Sequence, residues 1–572
     1  VGGIAQAVGN TMKEGFRQCM AWLHTWTGLV VGWILFFVFL TGTAGYVQIE
    51  LTRWMQPERA MQAATVPAEA DQLGKAYAYL KQQPEAQQAE RWGINLLSNA
   101  RGWDEFSVNW SLPAQEGQRY GEYRTQVLDV NSGQPLAQQL KPRETGGGDA
   151  LYRMHYALHY LPYDWAIRIV GICTMLMFVA IISGIITHKK IFKDFFTFRP
   201  AKGQRSWLDA HNVISVIALP FYLMITYSGL IFFANAYMPF GVPMVYGFGE
   251  KNSERYYAEL YPGARFGADA SAAAQPMGHS AQHFVPIQPV LQQAQREWGA
   301  HRIGSVNFYP AKGDAPAKAE FYQISHDSIA RQRTSLSFDL SNGKKMTDNP
   351  SNQDKAPMQF ALAVLGLHEG SFASPLIRIL YVITGLLGTA MIATGLVLWT
   401  VKRRPKQLKA ERMSFGHALV ERLNIAMIAG LPLAIAVYFW ANRLIPAYLA
   451  DRAAWEIHSL YITLALSFLY ALCRPIARAW LEILSAASLA YLLLPLLNAL
   501  TTERHLVASL AHQDYVLASI DLGFLFLGGV LAWAAYKVWL KREAILKKPA
   551  AKAKRLPKQA PAAAVQASEE LP

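Results

Sequence analysis

Eight apolar runs limit what this chain can become. They lie near residues 24–48, 165–187, 211–235, 376–400, 423–442, 456–472, 479–499 and 516–537, the sixth being the shortest. A helix needs about 20 mostly apolar residues to cross the hydrocarbon of a bilayer. Backbone N–H and C=O groups find no water there, so such runs must close their own hydrogen bonds as helices. Hydrophobic residues make up 52% of the chain and charged ones only 16%, which fits a polytopic α-helical membrane protein and not a soluble one. Thr43-Ala44-Gly45 resembles a cleavage site. The apolar run before it exceeds a signal h-region of about 7–15 residues, so it reads as a retained anchor.

Basic residues set the expected orientation. Lys13 and Arg17 precede the first span. Lys189, Lys190, Lys193, Arg199, Lys202 and Arg205 fill the loop between spans two and three. Lys402, Arg403, Arg404, Lys406, Lys409 and Arg412 follow span four, and a Lys-rich tail follows span eight. All fall on one side if the spans alternate, which predicts cytoplasmic N- and C-termini. The net charge of +14 is then mostly topology and not a nucleic-acid footprint.

The expected organisation is a first span (1–50), an outer module (51–150), spans two and three with their basic loop (151–236), a second outer module (237–373), span four (374–401), a cytoplasmic linker (402–422), a four-span unit (423–540) and a basic disordered tail (541–572). Each outer module shows a helical piece, Pro67–Ala89 or Val285–Trp298. Strand-like pieces follow at 106–110 and 123–129, and at 303–309, 319–324 and 335–339. Both therefore read as small α+β units.

Echoes run through the first 400 residues. His24-x16-Thr41-Gly42 matches His211-x16-Ser228-Gly229 at an offset of 187 residues. Leu158-His159, Arg168 and Ser183-Gly184 match Leu367-His368, Arg378 and Thr394-Gly395 at offsets of 209 to 211. Asp129-Val-Asn-Ser-Gly133 matches Asp339-Leu-Ser-Asn-Gly343 at 210. Three matches in the same order read as a duplicated helix, soluble module and helix.

The echo places histidines in two sets. His24 and His211 belong to the cytoplasmic ends of spans one and three, and His159 and His368 to the outer ends of spans two and four. If the repeats are related by an axis along the membrane normal, each set converges on that axis. Two facing imidazoles suit the axial positions of a low-spin haem held in a helix bundle. The ligand sets are two, so two b-type haems are expected; no C-x-x-C-H is present for covalent attachment. His155 lies four residues before His159, and either is a candidate ligand. His188 is a third candidate on the cytoplasmic side. Arg168 and Arg378 are candidates for facing the haem pocket or neutralising a propionate.

Further motifs add a resemblance. They are Leu23-His24-Thr-Trp-Thr-Gly28-Leu29, the run Ser183 to Pro200 with Thr187-His188-Lys-Lys, Asp209-Ala-His211-Asn, Thr226-Tyr-Ser-Gly229-Leu and Leu367-His368-Glu-Gly370. In these residues, over about 15–405, the chain resembles the PepSY-associated transmembrane family of bacterial inner-membrane proteins. The resemblance implies four spans, two periplasmic PepSY-like modules and, as in its ferric-siderophore reductase members, a di-haem b core. It also implies an oxidoreductase that reduces Fe(III) on a siderophore in the periplasm, in the bacterial inner membrane. The four C-terminal spans depart from the short family form. No flavin or nicotinamide fingerprint is present, so the donor is expected to be a cytoplasmic protein or the quinone pool. The competing expectations are an iron or siderophore transporter and a membrane-anchored module that binds or regulates a protease.

Overall fold

A computed structural model describes residues 2–59, 66–98, 101–102, 105–113, 121–136, 142–187, 198–200, 202–260, 276–313, 315–324, 328–331, 334–346, 356–410 and 413–546. His188, most of the basic loop around it and the tail from residue 547 lie outside the described residues.

Among the described residues the chain is mostly helical, with one small antiparallel sheet. Seven helices among them are long and apolar enough to cross a membrane. The first spans Gly15–Gly45 within α1 (Gly2–Gly45), and the next are α5 (Tyr163–Thr187) and α10 (Pro375–Lys409). The last four are α11 (Phe415–Leu444), α12 (Arg452–Cys473), α13 (Ile476–Thr501) and α14 (Tyr515–Leu546). The short sixth run is thus a full helix of 22 residues.

The third run departs from expectation. It is two helices, α6 (Gln204–Ile217) and α7 (Leu219–Phe232), bent by 68° and making an eighth crossing only if taken together. The break falls at Ala218, just before Pro220 in the first turn of α7. Proline has no N–H to donate, and its ring clashes with the carbonyl four residues back, which favours a kink or break at this point.

The two soluble segments, read as separate modules, share one sheet. Strands β1 (Arg91–Asn95), β2 (Ser107–Ser111) and β3 (Tyr123–Val127) come from the first segment. Strands β4 (Ile303–Tyr309), β5 (Lys318–Gln323) and β6 (Ser335–Asp339) come from the second. The order is β3-β2-β1-β4-β5-β6, and the β1–β4 seam pairs Trp92 with Phe308 and Ile94 with Val306. Helices α3 (Glu69–Gln82) and α8 (Ile287–Trp298) supply Leu73, Ala76 and Leu80, and Val290, Leu291 and Ala294, to the same buried cluster as those strand residues. Pairing at β1–β4 covers two edges that would otherwise be exposed templates for association. β1 was missed in the sequence because Arg91-Trp-Gly-Ile-Asn95 has a central glycine and little alternation.

The echoed Asp turns fold alike. Asp129 Oδ1 accepts from the backbone N–H of Ser132 at 2.7 Å, and Asp339 Oδ1 from that of Ser341 at 2.8 Å. Each turn closes on a left-handed glycine, Gly133 with φ +70° and Gly343 with φ +72°. The Ser132 amide and hydroxyl together hold the Asp129 carboxyl below its ordinary range.

Two short helices lead from the sheet segments into spans. They are α4 (Gly147–Ala157) before α5, and α9 (Ala356–Glu369) before α10. Helix α2 (Gln48–Met55) continues from α1 and packs with α4 against the C-terminal spans, through Leu51, Trp54, Met55, Ala150, Leu151 and Met154.

Candidate functional site

Four imidazoles meet in two pairs. His24 of α1 faces His211 of α6, with ring centroids 6.3 Å apart. His155 of α4 faces His368 of α9 at 6.1 Å. The first pair follows the expectation. In the second, His155, the alternative to the repeat-matched His159, stands opposite His368.

The reason lies in how α4 ends. Leu158 takes a left-handed φ of +42°, and Tyr160 one of +72°, so the helix stops before His159. His159 is off the helix, exposed, and stacks on Tyr461 at 5.7 Å. The i,i+4 face that would join it to His155 does not exist. A better register was present in the sequence: His155-x6-Pro162 and His368-x6-Pro375 share one spacing to the start of the following span.

The echoed (Ser/Thr)-Gly steps prove to be the seats of the four imidazoles. A Cβ placed on Gly184 would stand 3.0 Å from His24 Cε1, and one on Gly395 3.2 Å from His211 Cε1. On Gly229 it would stand 3.1 Å from His368 Cε1, and on Gly42 2.7 Å from His155 Cε1. Each imidazole lies against the helix where a side chain is missing.

A carbonyl four residues before each glycine then takes up Nδ1. His24 Nδ1 donates to Ala180 O at 2.7 Å, His155 Nδ1 to Val38 O at 2.7 Å and His211 Nδ1 to Met391 O at 3.0 Å. His368 bonds to the Ile225 backbone, with Ser228 Oγ 2.9 Å from its Nδ1. Thr394 Oγ1 is likewise 3.2 Å from His211 Nδ1. A proton fixed on Nδ1 makes Nε2 the lone-pair nitrogen, which is the arrangement a metal-ligating histidine needs.

Each pair borders a cavity. The cavity with His155 and His368 measures about 350 Å³, and Tyr46, Arg101, Phe221 and Glu369 also line it. The cavity with His24 and His211 measures about 340 Å³, and Asn212, Trp399, Lys402 and Arg403 also line it. Leu35 and Met177 line both, so a single layer of side chains divides them. Phe221 borders one cavity and Tyr222 the other, while Phe36 and Phe37 turn to the C-terminal spans.

Neither arginine of the echo faces a cavity as expected. Arg168 is exposed and lies over the Trp165 ring at 6.0 Å. Arg378 is half-buried and bound to Glu50 at 3.3 Å. The cation at the cavity wall is Arg101, which meets Glu50 at 2.6 Å and the Tyr46 carbonyl at 3.1 Å. Burial raises the Glu50 carboxyl, but the Arg101 hydrogen bond and the Arg101 and Arg378 charges outweigh it and hold the group below its ordinary range. Arg101 belongs to the soluble segment, so no repeat within the spans pointed to it.

Both pairs and both cavities fall within a stretch that matches a known family. Residues 21–402 match the PepSY-associated TM region. The chain belongs to that family. No curated protein matches the chain at a significant level. The PepSY-associated match ends where the four C-terminal spans begin, so the family region holds every paired histidine and the C-terminal unit lies beyond it. Among the described residues, no group of three or more His, Cys, Asp or Glu is placed to hold a metal ion.

Proposed function

We propose that this protein is a haem b oxidoreductase of the bacterial inner membrane that carries electrons to a ferric siderophore in the periplasm. The observation that carries this reading is the pair of facing imidazoles, repeated once on each side of a thin apolar wall.

The residues fit the group. A metal–imidazole bond is about 2.0–2.1 Å long, and the ring centre lies about 1.1 Å behind the nitrogen. Two imidazoles on one metal atom therefore stand with centroids about 6.3 Å apart. The observed separations are 6.3 and 6.1 Å. A zinc site would need three or four ligands in a tight cluster. Glycines line both cavities, Gly28, Gly32 and Gly184 the one and Gly42, Gly45 and Gly385 the other, and beside Gly28 the space is open.

When bound, haem would supply reversible one-electron transfer at each pair. His24 and His211 would hold the inner group, with Lys402 and Arg403 as cations for its propionates. His155 and His368 would hold the outer group, with Arg101 in that role. Leu35 and Met177 exclude water between the two sites and keep them one side-chain layer apart. That wall also argues against a continuous path for a transported ion. Duplication of the core is supported by the four equivalent glycine seats, the two Asp turns and the three strands that each segment gives to the sheet. The six-stranded unit would sit in the periplasm above the outer site, where a ferric chelate can approach. Reduction to Fe(II) weakens the hold of an oxygen-donor chelate and releases the iron.

The purified protein should give two haems per chain in a pyridine haemochrome assay, with sharp α and Soret bands on reduction. A ratio near zero removes the electron-carrying reading. The orientation has its own test. Reporter fusions at Arg404 and after Lys548 should report cytoplasm, and one at the exposed turn of Asn342 should report periplasm. The reverse pattern would place the sheet in the cytoplasm and exclude an external ferric substrate.

A further inference from the structure

We infer that the four C-terminal spans fix the position of His155, and that Glu456 is the positioning residue through which they act. The inference rests on the proposed haem sites for its consequence but not for its geometry.

Helix α4, which carries His155, starts at three consecutive glycines, Gly146-Gly147-Gly148. Such a start has no side chains to anchor it, and Gly147 sits at φ +58°. Its free N–H groups are taken up from outside. Gly146 N–H donates to Glu456 Oε2 at 3.1 Å, Gly147 N–H to Thr145 Oγ1 at 3.1 Å and Gly148 N–H to Thr52 Oγ1 at 2.9 Å. Thr145 Oγ1 itself donates to Glu456 Oε2 at 2.6 Å. A carboxylate from α12 therefore caps a helix of the core, where unpaired N–H groups and the helix dipole favour negative charge.

Further bonds lock the same joint. Tyr438 of α11 donates its hydroxyl to Gly147 O at 2.8 Å. Arg452 donates to Glu144 O at 2.8 Å and also pairs with Glu456 Oε1. Asn442 Nδ2 reaches Glu456 Oε1 at 2.7 Å, and Arg143 donates to Asn442 O at 2.8 Å. Tyr438, Asn442, Arg452 and Glu456 are each 0% exposed.

A buried ion pair is weak evidence for stability, since desolvation offsets much of its attraction. What this one does geometrically is specific. It is spent on the start of α4, which carries a proposed ligand about 12 Å further along at 1.5 Å per residue. The C-terminal unit also touches the inner site's helices, Asn424 accepting from Trp33 Nε1 at 2.9 Å and donating to Leu396 O at 3.2 Å, but the described bonds of the Glu456 side chain go to the start of α4 and to its own unit. The Glu456 joint thus acts on the helix of one ligand of one site.

The test compares Glu456→Gln and Tyr438→Phe with the wild type, all as full chains in detergent. Glu456→Gln keeps the shape and removes the charge; Tyr438→Phe removes a single bond and guards against a misfolded Glu456 variant. Amide exchange over residues 146–151 should rise about tenfold, as expected for a lost cap, while that of α1 stays level. Both variants should retain two haems. The outer haem's low-spin electron paramagnetic signal and midpoint potential should shift, and the inner haem's should not. Unchanged exchange at 146–151 in both variants overturns the inference, as does an equal shift of both haems. A wild type without haem removes the proposed function alone, because the exchange result still decides whether Glu456 holds α4.

Discussion

In the His368→Ala variant, one haem per chain should remain in place of two. His368 is one half of the outer pair, 6.1 Å from His155, and is seated on Gly229 with Ser228 Oγ at its Nδ1. Alanine leaves the cavity, about 350 Å³ with His368 in place, with a single facing imidazole. His159 cannot replace the lost ligand, because it lies beyond the end of α4 and stacks on Tyr461. Removing even a hydrogen-bond partner of a metal ligand commonly costs about 10–100-fold in affinity or activity, so removing the ligand should take ferric-chelate reduction to background. The inner haem should keep its spectrum. A donor on the cytoplasmic side should still reduce it, and a ferric siderophore added outside should no longer reoxidise it. His211→Ala should give the converse, with the outer haem retained but unreachable from the cytoplasmic donor. Two intact haems and unchanged turnover in His368→Ala would mean that these pairs are not axial ligands.

The sequence reading was sound where one physical demand dominates and weaker where contacts from distant segments decide. A chain in lipid must close its own backbone hydrogen bonds, so seven of the eight spans were readable from apolar runs alone, while the third is a bent pair of helices. The bend at Ala218 was also written there, in Pro220, but apolarity hid it. Strands β4 and β6 fell on Ile303–Tyr309 and Ser335–Asp339 as read, because their alternation is clean. The joining of both segments through β1–β4 was not readable, since pairing between strands more than 200 residues apart leaves no local mark.

Of the four histidines in the two facing pairs, repetition had singled out His24, His211 and His368. His159 was preferred to His155 because Leu-His occurs twice, and a dipeptide says nothing about where a helix ends. Counting back from the span-opening prolines would have chosen His155. Arg101 was out of reach, since it arrives from the soluble segment and meets Glu50 only in three dimensions. The role of the (Ser/Thr)-Gly steps was also missed. They were read as marks of duplication, although their chemistry, a missing Cβ beside a bare carbonyl, was available from the residue type.

That chemistry gives the second large effect. Gly42→Ala should remove the outer haem, or leave it high-spin, without altering a single ligand. The added methyl would stand 2.7 Å from His155 Cε1, closer still to Nδ1, and such distances are not tolerated by real Cβ atoms. His155 cannot move aside and keep its bond to Val38 O at 2.7 Å. Losing that bond frees the ring to rotate and to carry its proton on the other nitrogen, which ends metal binding through Nε2. At Gly184, Gly229 and Gly395 the same methyl would meet imidazole carbons at 3.0, 3.1 and 3.2 Å, where a shift of a few tenths of an ångström suffices. Alanine there should shift the spectrum of one haem, the inner for Gly184 and Gly395 and the outer for Gly229, with both haems retained. Valine at those positions should remove that haem. Gly15→Ala is the control, because nothing lies within 4 Å of its added Cβ. Haem content and the α-band of each variant decide the matter. If Gly42→Ala holds two low-spin haems with wild-type bands, the glycine is not a seat for His155, and the outer pair owes its geometry to something other than this helix surface.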